Sequence, residues 1–312
     1  HLAVQRGARP GAAGRRDRPV SAATVGGAEG AAALKAEIAA DFGTPALVVD
    51  LDVVERNVAR VQGLCDAAGL ANRPHVKTHK SPRLARLQLA AGACGIAVQK
   101  LGEAEVMADA IVEVGAEAGG GRDILICYNL LGAHKLRRLT ALMRRARLTV
   151  AADNPVSVEG LAVAAAEAGE PLDVAVECDT GRRRAGVETA AEAVDLARRI
   201  AASPQLRFAG LMFYPLEGDW AAARAFLAAA LPALRAEGLR PRMISTGGTP
   251  NLAHLGELPG ATEHRAGTSI FNDRATAAKG AAQLEDCALT VYATVVSRAG
   301  EAGASSTPAP RR

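Results

Sequence analysis

The sequence has 312 residues, of which 49% are hydrophobic, and its net charge at pH 7 is +4. This length is that of one α/β barrel with extensions, and an aromatic content of 3% argues against a surface that stacks bases or binds peptides. The sequence contains neither a continuous apolar run of about eighteen residues nor a basic stripe, so neither a membrane span nor a nucleic-acid partner is expected.

The N-terminal segment, residues 1–34, consists mainly of Gly, Ala and Arg and shows no sustained period. We expect it to be a solvated, disordered head outside the fold, and it lacks the apolar core of a secretory signal peptide. The five cysteines of the chain show no C-x-x-C spacing. Because this pattern predicts neither a disulfide framework nor a zinc site, we expect free thiols in a reducing cytoplasm.

Regular structure is predicted from about residue 45, where short runs rich in Val, Ile and Leu alternate with longer helical stretches. The helix after the first run illustrates the pattern. Asp52 is its expected N-cap, Glu55 completes a capping box, and apolar residues recur at helical spacing from Val54 to Cys65. The eight runs expected to form strands are Ala46–Asp50, Arg73–Thr78, Gly95–Gln99, Asp123–Tyr128, Leu148–Ala152, Leu172–Cys178, Phe208–Tyr214 and Arg242–Thr246.

Apolar strands set between amphipathic helices predict an α/β fold with a parallel sheet covered by helices. Eight such units favour a closed (β/α)8 TIM-type barrel, while an open doubly wound sheet stays an alternative because strand order cannot be read from sequence. No G-x-G-x-x-G turn follows the first strand, which argues against a dinucleotide site. In a barrel the chemistry lies at the carboxyl ends of the strands. The polar residues at these predicted ends are Asp50, Lys77, Gln99, Asn129, Asp153, Asp179, Tyr214 and Thr246.

The stretch Arg73–Ser81, R-P-H-V-K-T-H-K-S, places two histidines, two lysines and one arginine at a strand end. Such a cluster suits a bound anion, or a lysine whose pKa is lowered by neighbouring cations so that it forms a Schiff base with an aldehyde. On composition alone, a solvated basic loop is an equal alternative.

This stretch resembles the pyridoxal-phosphate (PLP) lysine segment of the D-threonine aldolase and D-serine dehydratase family, which belongs to the alanine-racemase-like, fold type III PLP enzymes. The resemblance implies that Lys77 is the catalytic lysine that carries the cofactor and that His75 belongs to the cofactor site. Thr44–Asp50, T-P-A-L-V-V-D, resembles the family's opening strand. Val98–Glu105, V-Q-K-L-G-E-A-E, resembles the next landmark, which implies that Gln99 lies near the cofactor.

In Glu177–Gly186, E-C-D-T-G-R-R-R-A-G, a strand end meets a glycine turn and three arginines. A solvated surface turn and an anion site are both compatible with this pattern. The family usually has E-x-D-x-G-x-G-R-C-G here, so the resemblance places Arg184 near the phenolic oxygen of the cofactor. Arg183 stands where the family has glycine, and we expect it to strain the loop if that position needs φ > 0.

Two segments near the end of the predicted barrel contain glycines that let backbone N–H groups approach a phosphate, although an ordinary flexible turn has a similar composition. Ser245–Asn251, S-T-G-G-T-P-N, resembles the family's S-x-G-G-T-P phosphate loop, and Glu263–Phe271 resembles the segment that completes the phosphate cup. Arg265 matches the alanine-racemase arginine that faces the pyridine nitrogen, and Tyr214 is an expected cofactor or substrate contact. The implied phosphate-site residues are Thr246, Gly247, Gly248, Thr249, Gly267 and Thr268.

Glu285–Ser297 resembles the strand that begins the family's C-terminal β-domain. We expect a barrel over residues 35–280, only this first β-domain strand as a remnant over residues 281–298, and a disordered tail over residues 299–312, as in a C-terminally truncated member of the family. The family's β-domain carries a metal pair, a His and a Cys or Asp two residues apart, and this pair does not occur in the sequence. A divalent Mn or Zn ion is thus implied by the resemblance, while no metal ligand is assigned.

The activity implied by the resemblance is a PLP-dependent lyase reaction on β-hydroxy-D-amino acids, with D-threonine aldolase-like cleavage to glycine and an aldehyde as the first interpretation. D-serine dehydratase and D-3-hydroxyaspartate aldolase share these motifs and stay open. A non-catalytic PLP-binding protein or an inactive truncated product is the alternative class. The expected partner is a small D-amino acid, and the family's tendency to dimerise implies a homodimer.

Overall fold

The computed structural model describes residues 2–5, 19–20, 27–117, 123–299 and 303–306. The chain divides into two compact units, Val58–Ser269 on one side and His1–Asn57 with Ile270–Arg312 on the other. The first unit begins later and ends earlier in the sequence than the predicted barrel domain of residues 35–280.

The strands are β1 Leu2–Gln5, β2 Pro19–Val20, β3 Ala46–Asp50, β4 Ala71–Asn72, β5 Gly95–Val98, β6 Asp123–Ile126, β7 Leu148–Ala152, β8 Leu172–Cys178, β9 Leu206–Phe213, β10 Met243–Gly247, β11 Glu263–Arg265, β12 Leu289–Tyr292, β13 Val295–Ala299 and β14 Gly303–Ser306. The α-helices are α1 Gly27–Phe42, α2 Leu51–Ala67, α3 Pro82–Ala90, α4 Leu101–Glu117, α5 Ala133–Met143, α6 Pro155–Ala168, α7 Ala190–Ala202, α8 Ala221–Ala236 and α9 Arg274–Ala278. Short 3-10 helices cover Val76–Thr78, Thr249–Glu257, Thr268–Ile270 and Leu284–Asp286.

The unit Val58–Ser269 contains an eight-stranded sheet of parallel strands in the order β4-β11-β10-β9-β8-β7-β6-β5. Backbone hydrogen bonds of 2.9 Å, from Cys94 N to Asn72 O and from Ala97 N to Pro74 O, join the two ends of this order. The predicted (β/α)8 barrel is therefore confirmed, and the open doubly wound sheet is excluded because the order closes on itself.

The barrel strands are buried on both faces, which is why they read as continuous apolar runs. All seven residues of β8 and all five of β7 are buried. The helices begin at side chains that satisfy their first N–H groups: Asn154 caps α6, and Thr189 forms a capping box with Glu192 at α7.

The membership of the barrel differs from the prediction at one strand. Ala46–Asp50 forms β3, but it pairs antiparallel with β12 and β1 in another sheet, and β11 takes its place in the barrel. Because the three residues of β11 are Glu263, His264 and Arg265, a search for apolar runs could not find it. As a consequence, Tyr214 follows the sixth barrel strand and Gly248 the seventh.

The predicted strand Arg73–Thr78 is also different in the structure. Strand β4 ends at Asn72, and Val76–Thr78 form a 3-10 turn. The imidazole of His75 caps this turn by accepting a hydrogen bond of 3.4 Å from Lys77 N. The capping box predicted at α2 is likewise wrong, because the helix begins at Leu51 and Asp50 Oδ1 accepts from the backbone N–H groups of Asp52 and Val53.

The second unit contains the sheet β12-β3-β1-β2, with Leu34, Ile38, Ala46 and Val48 buried in one apolar cluster. Within the predicted head of residues 1–34 the structure has β1, β2 and the beginning of α1. The Ala-rich sequence from Gly27 favours a helix even though it lacks a strong amphipathic period. Residues 6–18 and 21–26 of the head lie outside the described residues.

The C-terminal residues also contain more strands than the single one that was predicted. Strand β13 pairs antiparallel with β14, whose residues 303–306 fall in the predicted tail. The extra pairing satisfies backbone groups of β13 that a lone strand would leave exposed. Residues 300–302 and 307–312 lie outside the described residues. No helix in the described ranges is long and apolar enough to cross a membrane.

Candidate active site

The carboxyl ends of the barrel strands, which we call the mouth, hold most of the residues predicted for the site. Lys77 lies on the 3-10 turn after β4 and is exposed. The surrounding protein removes part of the hydration of its ammonium and lowers the pKa of Lys77, and the cations of Arg184 and Arg265 lower it further. The charge-neutral amine is therefore available at a lower pH than in a free lysine.

The second lysine of the motif, Lys80, is placed differently. It has φ +51°, and its Nζ lies 3.7 Å from Glu103 Oε1 with 62% of its side chain exposed. The other oxygen of Glu103 accepts a hydrogen bond of 2.8 Å from the backbone N–H of Gln99. Lys80 is thus part of a surface ion pair, and Lys77 is the lysine whose pKa the two arginines lower.

His75 is buried, and its Nε2 has no hydrogen-bond partner among the described residues. Burial, followed by the cations of Lys77 and Arg265, holds the pKa of His75 well below its usual value. Because Nδ1 accepts from Lys77 N, the hydrogen of the neutral ring is assigned to Nε2. His75 therefore presents a buried, unpaired N–H donor next to the lysine.

The two glycine loops pack against each other and against the lysine turn. Gly248 has φ +112°, and a Cβ there would lie 3.2 Å from Tyr214 Cε2. A Cβ on Gly267 would lie 3.1 Å from His75 O. Thr249 Oγ1 accepts from the backbone N–H groups of Gly267 (3.3 Å) and Ser269 (3.1 Å), and so ties the loop after β10 to the loop after β11.

Thr246, predicted to contact the phosphate, is instead buried below the loop. Its hydroxyl lies 2.8 Å from His264 Nδ1, and His264 Nε2 lies 3.1 Å from Gly248 O. Since a carbonyl only accepts, Nε2 donates to Gly248 O, and Nδ1 accepts from Thr246. Burial lowers the pKa of His264 to about 4, so this imidazole is neutral at pH 7 and supports the loop.

Arg265 is buried at the end of β11, where its guanidinium donates a hydrogen bond of 2.8 Å to Phe213 O and another to Ser245 Oγ. Gly247 lies against it, because a Cβ at Gly247 would lie 3.3 Å from an Arg265 nitrogen. Gln99, at the end of β5, donates to Cys127 O over 3.1 Å. Thr268 starts the 3-10 turn after β11.

Arg184 lies at the mouth even though its loop departs from the family pattern. Its guanidinium is 3.5 Å from Glu177 Oε1 and 4.9 Å from the centre of the Tyr214 ring. Arg183 has φ +51°, so the predicted backbone strain is present. The carboxylate of Asp179 stabilises the loop by accepting from the N–H groups of Gly181 (2.8 Å) and Arg184 (2.9 Å).

Two residues of the mouth were not singled out from the sequence. Glu177 is buried, and burial raises its pKa although Arg184 and Arg265 oppose the shift. Arg182 stacks 3.8 Å from the centre of the Tyr214 ring and donates to Tyr214 O over 2.9 Å. A carboxylate at the end of an otherwise apolar strand was the signal that could have identified Glu177.

Residues 49–275 match the family model described as alanine racemase, N-terminal domain. The chain is 36% identical over 273 residues to the D-threo-3-hydroxyaspartate dehydratase of Delftia sp. (strain HT23). The matched region covers 83% of this chain and 69% of that protein. It is 39% identical over 171 residues to the D-threonine aldolase of an Arthrobacter species, covering 55% of this chain and 43% of the relative.

The crystal structure of D-threonine aldolase from Filomicrobium marinum superposes with a TM-score of 0.72 at 34% identity, over 82% of this chain and 70% of that one. With the barrel closed as described and more than half of the chain matched by the family model, the chain belongs to the alanine racemase N-terminal domain family of fold type III PLP proteins.

Proposed function

We propose that the chain is a PLP-dependent lyase that acts on β-hydroxy-D-amino acids and cleaves them to glycine and an aldehyde, in the manner of a D-threonine aldolase. The observation that carries this proposal is the position of Lys77, an accessible amine of lowered pKa beside two arginines at the mouth. A primary amine with this property is suited to bond reversibly to an aldehyde.

The residues of the mouth fit PLP, which has an aldehyde, a phosphate, a phenolic oxygen and a ring nitrogen. The buried Nε2 of His75 lacks a partner among the described side chains, and Gly248 and Gly267 leave space that a Cβ would fill. In this arrangement Lys77 would hold the aldehyde, and the backbone near Gly248 and Gly267 would hold the phosphate.

Arg184 and Arg265 would hold the two polar positions of the ring, Arg184 beside the phenolic oxygen and Arg265 facing the ring nitrogen. Both guanidinium groups are already anchored, Arg184 by Glu177 and Arg265 by Phe213 O. Such preplaced charges act without reorganisation during the reaction. When bound, the cofactor supplies a ring that accepts electrons and so stabilises negative charge on the substrate Cα.

Lys77 would take up a proton, whereas His75 would only donate a hydrogen bond. Lys77 Nζ could take a proton when its amine is free, because burial and two nearby cations lower its pKa and make the neutral amine more accessible than in a free lysine. His75 keeps its hydrogen on Nε2 and stays neutral because its pKa is so low. It therefore serves as a hydrogen-bond donor and not as a cation.

The metal ion implied by the family resemblance does not fit the residues described here. In the described ranges, no three His, Cys, Asp or Glu side chains form a group that could hold a metal ion. We therefore assign no step to a metal, and the assay below includes manganese as a separate condition.

A 3-hydroxy-D-aspartate is the second candidate substrate. Its additional carboxylate requires a cation, and Arg183 and Arg184 are exposed on the loop that borders the mouth. The similarity to the dehydratase of Delftia over 83% of this chain is consistent with that substrate.

The test begins with borohydride reduction of the PLP-loaded protein, followed by peptide mapping. We expect the label on Lys77, absent from K77R and retained in K80R, which preserves charge at the matched second lysine. Aldehyde release from D-threonine and from D-3-hydroxyaspartate, each with and without manganese, then separates the substrates. Label on Lys80, or no retained cofactor, contradicts the proposal, and binding without any turnover supports the non-catalytic alternative.

A further inference from the structure

Arg265 is one end of a buried chain of hydrogen bonds that leads away from the mouth. Its guanidinium donates to Ser245 Oγ, and Ser245 Oγ donates to Glu263 Oε1 over 2.5 Å. Ser245 is fully buried and Glu263 is 4% exposed. A serine hydroxyl has one hydrogen, so donation to Glu263 leaves its oxygen free to accept from Arg265.

This chain of hydrogen bonds continues to the amino-terminal ends of the strands, which we call the floor. Glu263 accepts from Arg73 Nε at 2.8 and 2.9 Å, and Arg73 also donates to Asp123 Oδ1 over 2.7 Å. Gly95 makes room for this pair, because a Cβ there would lie 2.6 Å from an Arg73 nitrogen. Arg73, the first residue of the lysine motif, therefore points to the floor while Lys77 lies at the mouth.

The charges alternate along this chain as Arg265, Glu263, Arg73 and Asp123. Among the described residues, Arg265 forms no direct ion pair, and the hydroxyl of Ser245 links its guanidinium to the carboxylate of Glu263. A buried guanidinium is costly without such compensation, and hydrogen bonds in series at low dielectric strengthen one another. This chain of hydrogen bonds thus restricts the direction of the Arg265 guanidinium.

We propose that Ser245 and Glu263 are positioning residues, which hold the Arg265 guanidinium in the orientation that faces the ring nitrogen of the cofactor. This inference rests on the proposed function, since it assumes that PLP occupies the mouth. Neither residue would touch the cofactor. Each acts through Arg265, with Arg73 holding Glu263 in place through hydrogen bonds of 2.9 and 2.8 Å.

The test compares wild type, S245A and E263Q as PLP-loaded proteins, measuring the absorption spectrum of the bound cofactor across pH and its Kd. Loss of one charge-assisted hydrogen bond should weaken PLP binding by about tenfold and shift both the absorption maximum and its pH midpoint. E263Q keeps the shape of the side chain and removes its charge, so it remains informative if S245A folds poorly.

The matched control is D173N, which removes another buried floor carboxylate that has no link to Arg265 among the described contacts. The proposal expects D173N to lower Tm while the cofactor spectrum and pH midpoint stay as in wild type. S245A and E263Q could lower Tm as D173N does and leave the cofactor spectrum, the pH midpoint and the Kd unchanged. In that case the chain of hydrogen bonds is only structural, and the inference is overturned. If wild type itself forms no borohydride-reducible linkage at Lys77, the proposed function fails, and this inference with it.

Discussion

The mouth and the floor of the barrel are both rich in charged residues, but they use charge in opposite ways. At the floor, Asp173 is buried at the start of β8 and accepts from Arg207 (2.9 Å) and Arg242 (2.7 Å). At the mouth, Lys77 lies among cations and the buried Nε2 of His75 has no partner among the described residues.

This difference separates stability from chemistry within one barrel. Carboxylates at the floor are paired with arginines, so their negative charges are compensated within the protein itself. At the mouth, burial and then the neighbouring arginines lower the pKa of Lys77, and the excess of cations leaves donors available for an anionic ligand. Barrel enzymes generally place activity at the carboxyl ends of the strands and stability at the other ends.

Lowering the pH is expected to have the largest effect on the free energy of unfolding, because the neutral imidazole of His264 supports the mouth. His264 has a pKa of about 4 in the folded protein, against 6.5 in its unperturbed state. Between these values the unfolded chain binds the proton and the folded one does not, so stability falls as pH is lowered from 6.5 to 4, by about 3 kcal/mol for this residue. Urea unfolding at pH 7 and pH 5 should show a smaller loss of stability in H264Q than in wild type. An unchanged dependence of stability on pH in that variant would contradict the lowered pKa of His264.

Filling the space at the glycine loop should impair the mouth alone. In G248V, the added side chain meets Tyr214 and must adopt φ +112°, so PLP binding should weaken by about 1.5–3 kcal/mol, one charge-assisted hydrogen bond or more. The control is G256V, since a Cβ on Gly256 meets no atom within 4 Å. Equal PLP affinity in G248V and wild type would show that the phosphate binds elsewhere.

At the floor, the D173N change should affect stability without affecting the cofactor. It removes the charge that Arg147, Arg207 and Arg242 share, and because these three arginines are about half exposed the cost should be about 1–3 kcal/mol. Thermal unfolding and PLP titration measure the two effects separately. A loss of cofactor affinity in D173N would mean that floor and mouth are coupled along β8.

The smallest effect concerns the loop residue that departs from the family pattern. Arg183 has φ +51°, so R183G should relieve backbone strain and raise stability by about 0.5–1 kcal/mol. R183A retains the strained conformation and should show no gain. If both variants behave alike in urea unfolding, the left-handed conformation carries no measurable strain.

Sequence alone was sufficient for the features that depend on local pattern. The apolar runs indicated a barrel, since buried parallel strands are apolar on both faces, and the lysine motif and glycine loops indicated the family. These signals lie within about ten consecutive residues each, and local chain geometry is enough to interpret them.

Only the tertiary structure decided how distant segments pair. It placed β3 outside the barrel and β11 within it, because a strand made of Glu263, His264 and Arg265 is stabilised by buried partners from other strands. It directed Arg73 to the floor and buried Thr246 under the loop that it was expected to line. In each case the deciding partner is remote in sequence, so its contribution exists only after the barrel has closed.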